Sequence, residues 1–277
     1  MSTDPMRAVA VALLVALSSS CRRPSTHATP TTRPSASATT SVVPEAASHD
    51  AAPEASVVAK AEPRPIGPFA TPFLGKRDVW FVVPALPKKG HRLLVNLHGV
   101  CNPPGYACGH WADTGATFGF LVCPTGDGSC GPAMYDAPTW TESEAKMDGD
   151  LEAAIAKVET LYPDEITREG AVLTGFSRGA YVGARIASMH PGRWPYLVLI
   201  EADVKLSVPA LRTAKVRAVA LIAGELGSQV AGERATAKAL EAQGFPAKLW
   251  VMPKAGHHYS SDIGEIMREA LEWVTSH

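Results

Sequence analysis

The sequence predicts an α/β fold, a mostly parallel sheet with helices on both faces. Two observations carry the prediction. From about residue 77 to the C-terminus, short β-type apolar runs alternate with stretches of helical spacing, and parallel strands need helical crossovers between them. At the centre of the chain, Ala171-Val172-Leu173 leads through Thr174 into Gly175-Phe176-Ser177-Arg178-Gly179. Ala180, Tyr181, Ala184, Ile186, Ala187 and Met189 then recur at helical spacing. That is a strand, a tight turn and a helix with a serine at the turn.

Residues 77–83 read as a strand ended by Pro84, with a turn at Pro87–Gly90. Residues 92–97 read as a buried strand that runs into His98-Gly99. A helix is expected near His110 and a further strand over 118–122, stopped by Pro124. Met147, Leu151, Ile155, Val158 and Leu161 mark a helix over 146–161, and Asp148 and Asp150 near its start suit the helix dipole. After the central turn come strands at 196–201 and 216–223, a helix over 228–243, a strand at 247–252 and a last helix at 262–275. The loops 101–110 and 124–145 are short, so no large lid is expected.

The N-terminal quarter reads differently. Arg7 precedes an apolar run from Ala8 to Leu17, followed by Ser18-Ser19-Ser20-Cys21. The run is too short to span a bilayer as a helix and suits a secretory signal over residues 1–21. Small residues before a cysteine resemble a bacterial lipobox, which implies cleavage at Cys21 and lipidation of it. Ser18 stands where such boxes usually carry Leu, and a start at Met6 would give the usual short basic leader. Plain secretion without a lipid is the alternative. Residues 22–68 are rich in Pro, Ala, Ser and Thr, with no aromatic before Phe69. Such a stretch buries too little apolar surface to offset the entropy of ordering it, so it reads as an extended tether. The folded domain is then expected over 69–277, exported and held at a membrane by Cys21.

Composition narrows the remaining classes. A net charge of -1 gives no sign of a nucleic-acid partner, and 46% hydrophobic residues suffice for a substantial core. The chain has no internal repeat.

Gly175-Phe176-Ser177-Arg178-Gly179 in its strand–turn–helix setting is a G-x-S-x-G nucleophile elbow. The strained turn lifts the hydroxyl of Ser177 over a helix N-terminus, and Gly175 and Gly179 remove the Cβ atoms that would collide there. A plain N-cap serine is the bland reading of the same residues. With His98-Gly99 after an early strand and Gly256-His257 after the last one, the order of motifs resembles that of the α/β-hydrolases. The resemblance covers roughly residues 75–277. Within that fold the chain is similar to small secreted esterases of the polyhydroxybutyrate-depolymerase-like and feruloyl-esterase-like groups.

The resemblance implies a role for each matching residue. Ser177 is the expected nucleophile and His257 the expected base, whose near-neutral pKa suits proton shuttling; His258 is its rival. Backbone N–H groups of Arg178 and of Val100 or Cys101 are the expected oxyanion donors. His98 is expected to be buried and structural. The acid departs from the family pattern, because Gly227 stands where an Asp is usual after the seventh strand. Asp203 is the expected acid, with Glu201 and Glu225 as rivals. Trp111, Trp140 and Tyr135 are candidates to line the substrate pocket.

Cys101, Cys108, Cys123 and Cys130 lie in two loops at the same end of the sheet. In an exported domain they suggest two disulfides, and Cys101–Cys108 with Cys123–Cys130 is the expected pairing because each closes one loop. C-x-x-C and H-E-x-x-H spacings are absent, so no metal or other cofactor is expected. The sequence therefore points to a serine hydrolase acting on a small or polymeric ester. The alternative is a non-catalytic surface domain that kept the fold with an incomplete triad.

Overall fold

The computed structural model describes residues 61–277. The expected signal segment, Cys21 and residues 22–60 of the expected tether lie outside the described residues.

Eight strands form one sheet in the order β1-β2-β4-β3-β7-β8-β9-β10. They are β1 (Phe69–Leu74), β2 (Arg77–Val82), β3 (His91–Leu97), β4 (Gly119–Pro124), β7 (Ile166–Phe176), β8 (Tyr196–Ile200), β9 (Ala218–Gly224) and β10 (Ala247–Met252). β5 (Gly128–Ser129) and β6 (Pro138–Thr139) pair separately as a small hairpin. From β4 through β10 every neighbouring pair in the main sheet is parallel, while β1–β2 and β2–β4 are antiparallel. The crossovers are α1 (Pro104–Gly109), α2 (Ala112–Phe118), α3 (Glu144–Leu161), α4 (Arg178–Met189), α5 (Val208–Thr213) and α6 (Val230–Glu241); α7 (Ile263–Thr275) follows β10.

Side chains of the central strands alternate between two buried layers. Leu93, Val95 and Leu97 of β3 pack with α3, α4 and α6, and Leu94 packs on the other side with α1, α2 and α7. In β8, Leu197 and Leu199 face the first layer, and Tyr196, Val198 and Ile200 the second. Both faces are dry, which is why β8 and β9 carry no polar side chain apart from Tyr196. The expected strands and helices appear within a few residues of their predicted bounds. β1 and α5 are additional: β1 is an edge strand that carries Pro72 without harm, and α5 is only six residues long.

The domain begins earlier than Phe69. Arg64 makes a two-pronged ion pair with Glu165 at 3.0 and 2.6 Å and donates from Nε to Pro84 O at 3.0 Å. Its guanidinium also lies 5.0 Å from the ring centre of Tyr162. Backbone bonds join Arg64 to Ala85 and Ile66 to Val83. Residues 64–68, assigned to the tether from composition, therefore lie against the sheet edge, because one arginine finds both an acid and an aromatic face.

The disulfides also differ from the expected pairing. Cys101 joins Cys130 and Cys108 joins Cys123. Helix α1 folds back on β4, so Cys108 and Cys123 are both fully buried and face each other across that contact. Cys101 is left to reach the second loop. Each bond thus links two segments, rather than closing one loop on itself. Non-reducing peptide mapping should recover Cys101–Cys130 and Cys108–Cys123. Replacing Cys101 and Cys130 together by Ser should cost about 2–4 kcal/mol in denaturant unfolding, the usual cost of opening a loop of this size.

Candidate active site

The parallel ladder continues past the strand ends and sets the residues that matter. Ser177 N–H donates to Ile200 O at 2.8 Å, Glu201 N–H to Ile222 O at 2.8 Å, and Glu225 N–H to Met252 O at 2.9 Å. The first residue beyond β7, β8 and β9 is in each case bonded to the end of the neighbouring strand. All three stand on one edge of the sheet, where β10 delivers His257 through a short loop.

Ser177 has φ 52°, a left-handed conformation that a non-glycine residue holds only under constraint. The two glycines around it are required by close backbone approach. A Cβ on Gly179 would sit 2.0 Å from Leu97 O, and one on Gly175 would sit 2.5 Å from the Gly179 carbonyl. Ser177 occupies the N-cap position of α4, yet its side chain makes no capping bond. Its Oγ instead lies 2.9 Å from His257 Nε2. The hydroxyl is held for the imidazole rather than for the helix, and the bland N-cap reading fails on this geometry.

His257 Nδ1 lies 2.9 Å from Glu201 Oε2. A carboxylate only accepts, so Nδ1 carries the proton and Nε2 is free to accept from Ser177 Oγ–H. Glu201 is fully buried in its side chain while His257 is about half exposed. The second oxygen of Glu201, Oε1, accepts from Gly224 N–H. Serine, histidine and glutamate form one continuous hydrogen-bonded chain.

Asp203, the acid expected from the sequence, is not in that chain. Its carboxylate binds Lys205 Nζ at 2.7 and 2.8 Å and packs against Gly232 in the first turn of α6. Three residues past the strand end, the backbone has already turned toward α6, so the shorter side chain points away from His257. Glu225 is occupied elsewhere too: its Oε2 accepts Lys254 N–H at 2.9 Å, and Leu226 N–H bonds Ala255 O at 2.8 Å. These bonds hold the loop that carries His257. His258 turns its Nδ1 to Tyr259 O, away from Ser177.

Gly227 explains the departure from the family pattern. A Cβ there would lie 3.0 Å from Glu201 Oε2 and 3.3 Å from Oε1. The space that a side chain in that loop would fill is taken by a carboxylate arriving from β8.

On the other side of Ser177, the loop after β3 comes close: a Cβ on Gly99 would be 3.4 Å from Ser177 Cβ. His98 shapes this loop. It is fully buried, stacks on Trp140 with centroids 4.8 Å apart, and accepts Gly126 N–H on Nε2 at 2.9 Å. Its Nδ1–H therefore donates to Gly99 O at 2.7 Å. Holding that carbonyl also holds the Val100 N–H across the same planar peptide. Arg178 is the first residue of α4, so its N–H has no acceptor within the helix.

Trp111 and Trp140 are core residues, 1% and 3% exposed, and do not line a pocket. Tyr135 is 97% exposed on a loop tip. A mostly apolar groove of about 440 Å³ runs beside α4, past Tyr181, Ala184 and Ser188 to Leu206 and Ala210, and neither Ser177 nor His257 lines it. Among the described residues no group of three or more His, Cys, Asp or Glu could hold a metal ion.

No family model matches the sequence, and no curated protein is similar to it at a significant level. Solved structures are similar in shape. The esterase PE8 matches with a TM-score of 0.52 at 20% identity, over 69% of this chain and 96% of that one. A substrate-bound fluorophosphonate-binding serine hydrolase of Staphylococcus aureus matches with a TM-score of 0.55 at 13% identity, over 76% of this chain and 99% of that one. A ferulic acid esterase matches with a TM-score of 0.55 at 16% identity, over 78% and 98%. The chain has the α/β-hydrolase fold. In that fold the turn at Ser177 follows β7 and His257 follows β10.

His98 makes the stability of this hydrolase fold pH-dependent. Burial lowers its pKa from 6.5 to about 4. The unfolded chain takes up a proton at a pH where the native imidazole refuses it, so native stability falls as pH drops through this window. Denaturant unfolding should show a loss of up to about 3 kcal/mol between pH 6.5 and pH 4 from this group. In His98→Asn that part of the slope should vanish.

Proposed function

We propose that the protein is a serine hydrolase that cleaves a carboxylic ester through an acyl-enzyme on Ser177. The observation that carries the reading is the chain from Ser177 Oγ to His257 Nε2 and from His257 Nδ1 to Glu201, each contact 2.9 Å. Ser177 Oγ attacks the ester carbonyl while its proton passes to Nε2, and Glu201 stabilises the imidazolium that forms. The oxyanion is received by the N–H of Arg178 and by the Val100–Cys101 segment that His98 holds. The proton on Nε2 then goes to the departing alkoxide, and water, activated by the same imidazole, releases the acid. The likeness of the fold to esterases is consistent with this chemistry.

The reading replaces Asp203 by Glu201 as the acid. It also removes the motive for a non-catalytic surface domain: the aspartate absent from the loop after β9 is answered by a carboxylate from β8. The two disulfides support an exported protein, and lipidation at Cys21 would then hold it at a membrane on the oxidising side. The half-exposed His257 leaves the site open to a small ester or to an ester group on a polymer chain.

A fluorophosphonate probe should label Ser177 in the native protein and not in Ser177→Ala. Glu201→Gln should lower kcat on a short-chain nitrophenyl ester by about two to four orders of magnitude, the range a triad acid commands. Asp203→Asn should stay near wild type. No labelling of the folded protein, or a crippled Asp203→Asn beside a normal Glu201→Gln, would overturn the proposal.

A further inference from the structure

Glu201 sits at the end of β8 with φ 56°, again left-handed. A non-glycine residue stays in that conformation only if its surroundings fix it. The N–H groups that follow are all held: Ala202 N–H by Glu233 Oε1 at 2.6 Å, Asp203 N–H by Gln229 Oε1 at 3.2 Å, and Val204 N–H by Ala202 O at 2.7 Å. Two of these three acceptors are side chains at the start of α6. Glu233 is the deeper of the pair, fully buried, and the bond it makes is to the peptide joining Glu201 to Ala202.

Its setting is unusual for a carboxyl group. The charged groups that face it are Glu201, from the end of β8, and Asp203, from the loop beyond, both acidic. Lys205 is bound to Asp203 and offers Glu233 no counter-charge. Oε2 of Glu233 has no hydrogen-bond partner among the described residues. An ionised oxygen in that place would be an unpaired buried charge beside two others, whereas a neutral acid costs far less.

Resting on the triad reading above, we propose that Glu233 is the positioning residue for Glu201: its buried carboxyl group grips the Ala202 N–H and so fixes the bend that aims the Glu201 carboxylate at His257. Burial first, then the two neighbouring carboxylates, raises its pKa to about 9 against the gripping N–H, so at neutral pH it grips as a neutral acid. Glu201 remains the one negative charge on the imidazole. The function needs a carbonyl-type acceptor of the right length and no charge, which glutamine also supplies.

The test compares Glu233→Gln, Glu233→Leu and Glu233→Asp by steady-state kinetics on a short-chain nitrophenyl ester, with thermal melting as the check on folding. Glu233→Gln should keep kcat within about threefold of wild type. Glu233→Leu should lose about tenfold to a hundredfold in kcat with KM unchanged, because the ester does not touch Glu233. If Glu233→Leu fails to fold, Glu233→Asp carries the same expectation, since its carboxyl is one methylene too short to reach the Ala202 N–H. Two outcomes would overturn the proposal: a folded Leu or Asp variant with wild-type kcat, or a Gln variant as impaired as the Leu variant.

Two further readouts separate positioning from bulk stability and from the triad reading itself. The unfolded Glu233 ionises near 4.5 and the native one near 9, so between those values the native state holds a proton that the unfolded state has lost. Wild-type stability should therefore fall as pH rises across that window, and Glu233→Gln should flatten the slope. An unchanged slope would mean that Glu233 is not the neutral acid proposed. The imidazole N–H proton of His257, seen by NMR far downfield when it is bound to Glu201, should persist in Glu233→Gln and be lost in the Leu and Asp variants. That signal needs the Glu201–His257 contact and no turnover. If Ser177→Ala were to hydrolyse the ester as well as wild type, the triad reading would fail, and the NMR signal would still decide whether Glu233 positions Glu201.

Discussion

The buried carboxylate of Glu201 is the constraint on which the rest of the site depends. It is fully out of water and is bonded on one oxygen to the Gly224 N–H and on the other to His257 Nδ1. A buried charge is tolerated only when its hydrogen-bonding capacity is met, so its neighbours must be placed around it. Gly224 gives its N–H. Gly227 gives up a side chain, since any Cβ there would press on both carboxylate oxygens. Glu233 stands behind the peptide that follows. The half-exposed imidazole is therefore held in orientation from its buried end.

This arrangement explains how much of the site was legible in the sequence. Ser177 and His257 could be read because each has a local signature: glycines at the elbow, and a short loop after the last strand. Both signatures exist for reasons of backbone space, and backbone space is written into the residues next to the serine. The acid has no such signature. Glu201 and Asp203 both follow the same apolar strand, and only the left-handed turn at Glu201 decides which of them faces His257. The preference for the shorter side chain failed because side-chain length matters less than the direction of the Cα–Cβ bond. A usable signal was present in Gly227. A glycine where the fold usually carries a side chain marks space that some other side chain has taken, and Glu201, directly after β8, is placed to take it.

The fold itself was legible because its strands are covered on both faces. β10 spans the predicted residues 247–252, and β8 and β9 differ from expectation by one or two residues at their ends. The parts that were missed depend on contacts between distant segments. Arg64 belongs to the domain because Glu165 and Tyr162 lie beside it, and nothing in residues 61–68 announces that. Cysteine pairing is of the same kind. A loop-closing rule uses separation along the chain, whereas Cys108 and Cys123 are brought together by α1 folding back on β4.

Placing the acid at the end of β8 also changes how the site is held. Ser177 and Glu201 stand on neighbouring strands, and the N–H of Ser177 is bonded to Ile200 O, the carbonyl of the residue just before Glu201. Ser177 and Glu201 are thus joined through one peptide-to-peptide link inside the sheet ladder. An acid in the loop after β9 would have stood one strand further away. His257 is the member outside the sheet, and its loop is the one that Glu225 ties down through Lys254 N–H. His257 alone of the three is tied through its loop rather than through the sheet ladder. Ser177 and Glu201 are each tied by a backbone hydrogen bond to a neighbouring strand of the sheet, so the two fixed ends of the chain of contacts stand on the ladder itself.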